Sequence, residues 1–446
     1  MINKVIKAKV NNIDIDGYAY IKYNRDTIKV KGCNPNELVQ IKVINKSKNY
    51  YIAQVVKVLE ACNRVSSLCN NYSKCGSCSY LQLEYKQQLD IKRKYVEELC
   101  KAAKLDIRVH DVVGSKNIYE YRNKIIIGYK YENNKLASGL YEENTHRIVD
   151  TKDCLLHDEE TNKLIEELNK IIRKYKISIY NEDKRKGFLR HILIRKAFTT
   201  NEYLICLVAT SNILAGKNNI VKDILKINSN IKSIVLNVNT RKTSIVLGEQ
   251  EISLYGKHYI RDKLCNKYFN ISSKSFYQIN HDQCEALYSK ALSLLSNSKT
   301  DVLLDAYCGI GTIGIIASDR FKKVIGVEIN NVAVNDARFN ALTNKVNNVK
   351  FINADATNYM VNAVFKNEKI DCIIMDPARD GSTKVFMDSL FKLKPKEVVY
   401  ISCNPDTLIN DMKYMSKHYS FSDMYLYDMF PNTSHVEAVV LLSRIQ

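Results

Sequence analysis

The sequence predicts a multidomain fold. A small OB-like β-barrel, a cysteine-rich segment and an α+β central domain precede a C-terminal α/β domain with a Rossmann-like, doubly wound sheet. Three observations carry this reading. Short alternating segments fill residues 1–59, β-branched alternation dominates 120–265, and from about Phe269 strand and helix patterns alternate to the end. Domain limits are placed at 1–59, 60–90, 91–265 and 266–446.

The first unit rests on five segments: Val5–Val10, Gly17–Ile21, Thr27–Val30, Leu38–Val43 and Tyr51–Val55. Five short strands with polar turns suit a small barrel of the oligonucleotide-binding kind. Its lysines are interleaved with tyrosines, which suits RNA, because bases stack on aromatic rings and phosphates need cations. A cysteine-dense loop over 60–80 leads into a charged helix from about Leu81 to Lys104, whose 91–104 portion is expected to pack on the C-terminal domain. In the central unit, runs such as Lys124–Tyr129 and His191–Arg195 read as strands, and Glu159–Lys174 reads as a helix. The later alternation of strand and helix implies a parallel sheet covered on both faces.

Charge and composition narrow the class. The 446 residues hold 67 Lys and Arg against 48 Asp and Glu, a formal charge of +19, so a polyanion is the first partner to consider. No apolar run reaches membrane-spanning length and the N-terminus lacks a signal pattern, so a cytoplasmic location without membrane contact is expected, as is a monomer. Thirteen cysteines form an odd set, unsuited to a disulfide framework. Cys33, Cys100, Cys206, Cys265, Cys284 and Cys372 stand singly and read as small apolar residues.

The C-terminal domain offers a nucleotide-type pocket. The strand Val302–Asp305 runs into Ala306-Tyr307-Cys308-Gly309-Ile310-Gly311-Thr312, where two glycines let the backbone approach a ligand. In doubly wound sheets the ligand lies beyond the carboxyl ends of the strands. A second strand ends on Glu328, placed to bind ribose hydroxyls, and Asp355 follows a third. The loop lacks the third glycine of a dinucleotide site, which favours S-adenosylmethionine. Each acid could equally cap the helix after it.

A thiol stands beside that pocket. Cys403 follows the apolar strand Val398–Ile401 and precedes Asn404-Pro405, whose turn holds it in the cleft. A cysteine thiolate is suited to adding at carbon 6 of a pyrimidine, which turns carbon 5 into a nucleophile for a sulfonium methyl group. A base must then remove the carbon-5 proton. Glu437, in Ser434-His435-Val436-Glu437, is the candidate, although alone it reads as a surface carboxylate.

The motifs Phe276-Tyr277-Gln278-Ile279-Asn280, Asp305 to Thr312, Val327-Glu328, Asp376-Pro377-Ala378-Arg379, Ser402-Cys403-Asn404-Pro405 and His435-Val436-Glu437 together resemble the RNA uracil-5-methyltransferases. The resemblance implies that Gln278, Tyr307, Glu328 and Asp376 contact S-adenosylmethionine, with Thr312 and Asp355 as further pocket residues. It makes Cys403 the nucleophile and Glu437 the base. Ala378 departs from the family's usual second proline.

Cys69, Cys75 and Cys78 form C-x5-C-x2-C, one thiolate short of a closed metal site. Cys154 is the preferred fourth, Cys62 is the nearer rival, and on spacing alone zinc fits as well as iron. The ribosomal-RNA branch of the resembled family carries a [4Fe-4S] cluster on this pattern, with a distant fourth ligand, and often an N-terminal TRAM barrel, which residues 1–59 look like. The turn Cys33-Asn34-Pro35-Asn36-Glu37 departs from the usual Leu-Pro-Gly-Glu. The expectation is therefore a 23S rRNA (uracil-5-)-methyltransferase that flips its uridine out of any stack. Arg122, Lys124, Arg190, His191 and Arg195 are candidate RNA contacts. The competing readings are a transfer-RNA enzyme, a non-catalytic iron–sulfur RNA-binding protein and a radical methylthiotransferase, the last disfavoured because radical enzymes use C-x3-C-x2-C.

Overall fold

In the computed structural model the described residues are 1–445, apart from 67–68, 73, 133–134, 143–144, 146, 244, 297–298 and 300. The N-terminal unit contains β1 (Val5–Lys9), β2 (Tyr18–Tyr23), β3 (Asp26–Lys31), β4 (Leu38–Lys46) and β5 (Tyr51–Glu60). They form one sheet in the order β1-β4-β5-β3-β2, antiparallel except for the parallel β3–β5 pair. Alternation places Ile28, Val30, Val39, Ile41 and Val43 inside, where Tyr80 and Leu83 join them. The atypical turn has a physical basis. Asn36 takes the left-handed φ of 67° that a glycine would supply, and asparagine is among the residues that tolerate it. Buried Glu37 then accepts from Asn34 N at 2.8 Å and pairs with Arg64 Nη2 at 2.7 Å.

Helix α1 (Tyr85–Ala102) and strand β6 (Val109–Val113) come next. The central sheet holds β7 (Lys124–Glu132), β8 (Lys135–Tyr141), β9 (Ile148–Asp150), β10 (Leu189–Lys196), β11 (Tyr203–Ala209), β12 (Ile231–Val238) and β13 (Gln250–Gly256), in the order β13-β12-β11-β10-β7-β8-β9. Helices α2 (Glu159–Lys174) and α3 (Lys217–Ile227) cover it. Asp158 caps α2 by accepting from Thr161 N at 3.1 Å. A hairpin, β14 (Tyr259–Leu264) and β15 (Lys267–Ser272), follows.

The C-terminal unit runs α4 (His281–Leu294), β16 (Val302–Ala306), α5 (Thr312–Ala317), β17 (Lys323–Glu328), α6 (Asn331–Thr343), β18 (Val349–Asn353), α7 (Ala356–Phe365), β19 (Cys372–Met375), α8 (Lys384–Leu393), β20 (Glu397–Ser402), α9 (Pro405–Met415), β21 (Tyr419–Phe421), β22 (Met424–Tyr427) and β23 (Glu437–Arg444). Its sheet has the order β18-β17-β16-β19-β20-β23-β22-β6, with β21 also on β23. The β16–β20 strands pair in parallel, whereas β23 is antiparallel to β20 and β22. Strand order reverses between β16 and β19, which sets the ligand crevice at their carboxyl ends. Among the described residues no helix is long and apolar enough to cross a membrane.

Two expected boundaries are corrected. The 91–104 helix, whose packing on the C-terminal domain was the expectation, sends Val96 and Cys100 into that core; the departure is β6, placed with the central unit, which pairs in parallel with β22 and buries Val112 in the same core. The limit at 265/266 falls inside a hairpin whose turn, Cys265–Asn266, takes positive φ at both positions, a geometry that tightens hairpins. Helix α1 is also fastened by charge. Lys92 Nζ lies 2.6 Å from Asp428 Oδ1 with both side chains fully buried, and Tyr85 Oη donates to Asp428 Oδ2 at 2.8 Å. Replacing Lys92 by Met strands the buried carboxylate and is expected to lower unfolding free energy by about 3–5 kcal/mol, read as a lower urea midpoint at unchanged m. An unchanged midpoint would show the pair to be dispensable.

Candidate active site

The loop after β16 is built by its backbone angles. Tyr307, Gly309 and Gly311 have φ of 65°, 52° and 80°. The loop curls so that Gly309 N donates to Glu328 Oε2 at 3.1 Å, while Glu328 Oε1 accepts from Asn330 N at 2.7 Å. The two glycines have different reasons. Nothing stands within 4 Å of a Cβ placed on Gly309, so its backbone is open, and its positive φ is what favours glycine there. A Cβ on Gly311 would meet the Phe351 ring at 2.5 Å, so that glycine is there for packing, which corrects the expectation that both serve ligand approach. Asp305, missed in the sequence, accepts from Gly314 N at 2.8 Å and is pushed by burial to a pKa of about 8.

The other pocket candidates are placed by their own elements. Tyr307 Oη lies 3.2 Å from Ser382 Oγ, with its ring beside Phe386. Thr312 opens α5 and is nearly buried. Gln278 is buried before α4, and its carbonyl accepts from Asn123 Nδ2 at 2.7 Å. Asp355 caps α7 by accepting from Asn358 N at 3.0 Å. It performs the capping role that its position before a helix suggests, and it stands at the carboxyl end of β18.

Cys403 and Glu437 meet across the sheet. The β20–β23 ladder ends on the rung Ser402–Ala438, which puts Cys403 and Glu437 opposite each other one step beyond. Glu437 is 2% exposed, so it is no surface carboxylate, and its Oε2 has no hydrogen-bond partner. Burial, then Asp376, pushes Glu437 up to a pKa of about 8. Half-buried Cys403 is pushed to about 11 by burial, then by Glu437 and Asp376. Asp376 itself rises to about 7 through burial. Arg379 opposes the shifts at Cys403 and Glu437. Its Nη2 lies 3.0 Å from His435 Nδ1, and burial followed by the Arg379 charge drives His435 down to about 4, so that ring is neutral. The Arg379 carbonyl accepts from Asn404 Nδ2 at 2.9 Å and Thr407 Oγ1 at 3.1 Å, which stitches the Asp376–Arg379 loop to the turn after Cys403. Exposed Ala378 keeps that loop turned by accepting from Gly381 N at 2.9 Å, with no proline needed. A thiol facing an unpaired buried carboxylate is an arrangement for nucleophilic and acid–base chemistry.

Three of the five expected RNA contacts are corrected. β10 is buried along nearly its whole length. Arg195 is 2% exposed and donates to the carbonyls of Ser273 and Ser275. Arg190 donates to the carbonyls of Asn239 and Arg241 at 3.1 and 2.7 Å. His191 is buried and driven down to about 4 by that burial. Lys124 and Arg122 keep partial exposure. Burial, with Arg195 nearby, moves Lys124 down to about 8.

Cys69, Cys75, Cys78 and Cys154 line one cavity, with Tyr72, Leu81 and Thr151 among its other walls, and Cys62 is not part of it. Burial pushes the Cys78 thiol to about 12, its neighbours Cys154, Cys75 and Cys69 add to this, and Arg122 opposes it. Among the described residues no group of three or more His, Cys, Asp or Glu side chains is assembled as a metal-ion site.

The sequence reading also passed over Gln88, Lys92, Asp428 and Asn432, which hold the loop before β23. A signal was present: Gln88, Lys92, Val96 and Cys100 recur every four residues, and all are buried on one face of α1.

The family model for tRNA (uracil-5-)-methyltransferase matches residues 84–445. An uncharacterised RNA methyltransferase of Clostridium tetani is 36% identical, over 99% of this chain and 96% of its own. One from Bacillus cereus is 36% identical over 100% and 97%. Among solved structures, the Pyrococcus abyssi tRNA (uracil-54, C5)-methyltransferase in complex with S-adenosyl-L-homocysteine matches with a TM-score of 0.80 and 28% identity, over 98% of this chain and 99% of that one. The chain belongs to the RNA uracil-5-methyltransferase family, whose members are S-adenosylmethionine-dependent.

Proposed function

We propose that the protein methylates carbon 5 of a uridine in 23S rRNA, with Cys403 as nucleophile and Glu437 as base. The observation that carries this is the placement of Cys403 opposite the orphaned carboxylate of Glu437 at the end of the β20–β23 ladder. The Cys403 thiolate adds to carbon 6 of the uracil ring, forming a C–S bond and leaving electron density on carbon 5. Carbon 5 takes the electrophilic methyl group that bound S-adenosylmethionine would supply, with S-adenosylhomocysteine as the leaving group. Glu437 takes the carbon-5 proton, the ring double bond reforms, and the C–S bond breaks to release the thiolate. Gln278, Tyr307, Thr312, Glu328, Asp355 and Asp376, with the open backbone at Gly309, are the residues that would hold the cofactor.

The raised acids support a cationic methyl donor. Asp376 acts on both Cys403 and Glu437, Arg379 is the cation opposing it at those two groups, and a further positive charge there favours the ionised forms of all three. We also read the four-cysteine cavity as a [4Fe-4S] site with Cys69, Cys75, Cys78 and Cys154 as ligands. Four thiols lining one cavity is the donor set such a cluster needs, and the resemblance rather than the spacing is what favours iron over zinc. The N-terminal sheet is read as a TRAM unit that meets RNA, where Lys29 Nζ lies 3.9 Å over the Tyr18 ring and 5.6 Å from those of Tyr20 and Tyr50.

A tRNA substrate is the second reading. The archaeal enzyme named for tRNA aligns over 98% of this chain, so the N-terminal sheet does not separate the two substrates. Labelled methyl transfer to 23S rRNA transcripts but not tRNA supports the first reading, and the reverse result overturns it.

RNA bearing 5-fluorouridine at the target cannot lose its carbon-5 substituent as a proton, so a lasting protein–RNA adduct is expected with cofactor. An adduct that survives Cys403→Ala would refute the nucleophile. Because Glu437 acts only when ionised and its pKa is raised to about 8, turnover should climb as pH rises through that value, and Glu437→Gln should abolish turnover and that limb. A flat profile in the wild type would remove Glu437 from the rate-limiting step. Cys69→Ser should lose bound iron, measured by chelator assay, and lower the thermal midpoint; intact stability and iron content would exclude a cluster ligand.

A further inference from the structure

We propose that Asn432 is a positioning residue: it aims the Glu437 carboxylate at the Cys403 site by tying the loop before β23 to α1 and to the segment following Cys78. This rests on the reading of Glu437 as the base. No residue of 428–436 lies in a helix or strand, and Glu437 is the first residue of the ladder, paired with Tyr427. The direction of its side chain therefore depends on how the chain enters β23.

Asn432 controls that entry. It is 1% exposed, and its φ is 67°. Its backbone N donates to Gln88 Oε1 at 3.0 Å, and its carbonyl accepts from Ser79 N at 2.8 Å and Tyr80 N at 3.2 Å. Its side chain accepts from Gln88 Nε2 at 3.1 Å and donates to Ile118 O at 2.7 Å. Every polar group of the residue is thus used. Glycine would supply the left-handed turn without strain, so what asparagine adds is its amide. That amide joins helix α1, the segment at Ile118 and the catalytic loop at one point. Downstream, Thr433 Oγ1 donates to Phe430 O at 2.8 Å and accepts from His435 N at 3.3 Å, which carries the constraint two residues closer to Glu437.

The position of Cys403 is set separately, by β20 and the Asn404 cap of α9. Loosening Asn432 should therefore spare addition and methyl transfer and impair proton removal. The carbon-6–sulfur bond then persists, because it breaks only as the carbon-5 proton leaves.

The test uses the full chain, ordinary uridine RNA and methyl-labelled S-adenosylmethionine, resolved on denaturing gels. Glu437→Gln is the control and should accumulate labelled adduct. Asn432→Gly, which keeps the backbone conformation, should accumulate the same adduct, with kcat reduced on the order of 100-fold, RNA KM unchanged and the thermal midpoint near wild type. Gln88→Met, which removes the partner on α1, should give the same signature. Adduct and product falling together, wild-type turnover, or failure of both variants to fold would each overturn the proposal. If Glu437→Gln forms no adduct, the base assignment falls, and the proposal with it.

Discussion

The active site depends on one alignment, the antiparallel register of β20 against β23. Opposed residues of such a pair share a face, and a slip of one residue would turn Glu437 away from Cys403. Apolar–polar alternation cannot hold this register, because both strands are buried on both faces: Val398 to Ile401 and Ala438 to Val440 are all 0% exposed. The ladder is pinned by polar bonds at its Ser402–Ala438 end. On the β20 side, Ser402 Oγ accepts from Asn404 N at 3.1 Å as Asn404 caps α9. On the β23 side, Lys92 and Gln88 of α1 grip Asp428 and Asn432 before the strand begins. The proposed nucleophile and base are thus the first residues past the apolar ladder, where polar bonds replace packing as the source of precision.

Electrostatics divides the molecule in two. The chain carries +19 overall, which favours encounter with RNA over distances limited by salt screening. The cleft is the opposite, with Asp305, Asp376 and Glu437 all raised by burial. A basic exterior around an acidic pocket suits a polyanionic substrate whose target base enters alone, beside a cationic donor. The Arg379–His435 contact lies at the junction, and the neutral imidazole leaves the guanidinium charge acting on Cys403 and Glu437.

The parts of this site that follow from local chemistry were legible in the sequence. The Tyr307–Gly311 loop, Glu328 at the end of β17 and Cys403 before Asn-Pro are each dictated by neighbours within a few residues. The helix at Glu159–Lys174 was equally plain, because Asp158 caps an amphipathic run. What stayed hidden was set by distant partners. The charged face of α1 concealed a buried Lys92, since its partner Asp428 lies 336 residues away. The basic residues of β10 looked solvent-facing because alternation marks which face a side chain takes, not whether a second layer covers it. The destination of β6 was invisible for the same reason: a strand's own residues do not name its neighbour.

That misplaced strand changes how the whole chain is understood. Because β6 completes the catalytic sheet beside β22, the central sheet is an insertion between two parts of one catalytic unit. Its neck is closed by Asn123, whose Nδ2 and N donate to the carbonyls of Gln278 and Ile279 at 2.7 and 3.1 Å. Entry and exit of the insertion therefore meet beside a candidate cofactor residue. The cysteine cavity spans the same joint, since Cys69, Cys75 and Cys78 precede α1 and Cys154 lies within the insertion. From Cys78 the chain continues to Ser79, which is hydrogen-bonded to Asn432. The insertion, the cysteine cavity and the entry to β23 are thus joined by short covalent and hydrogen-bonded steps.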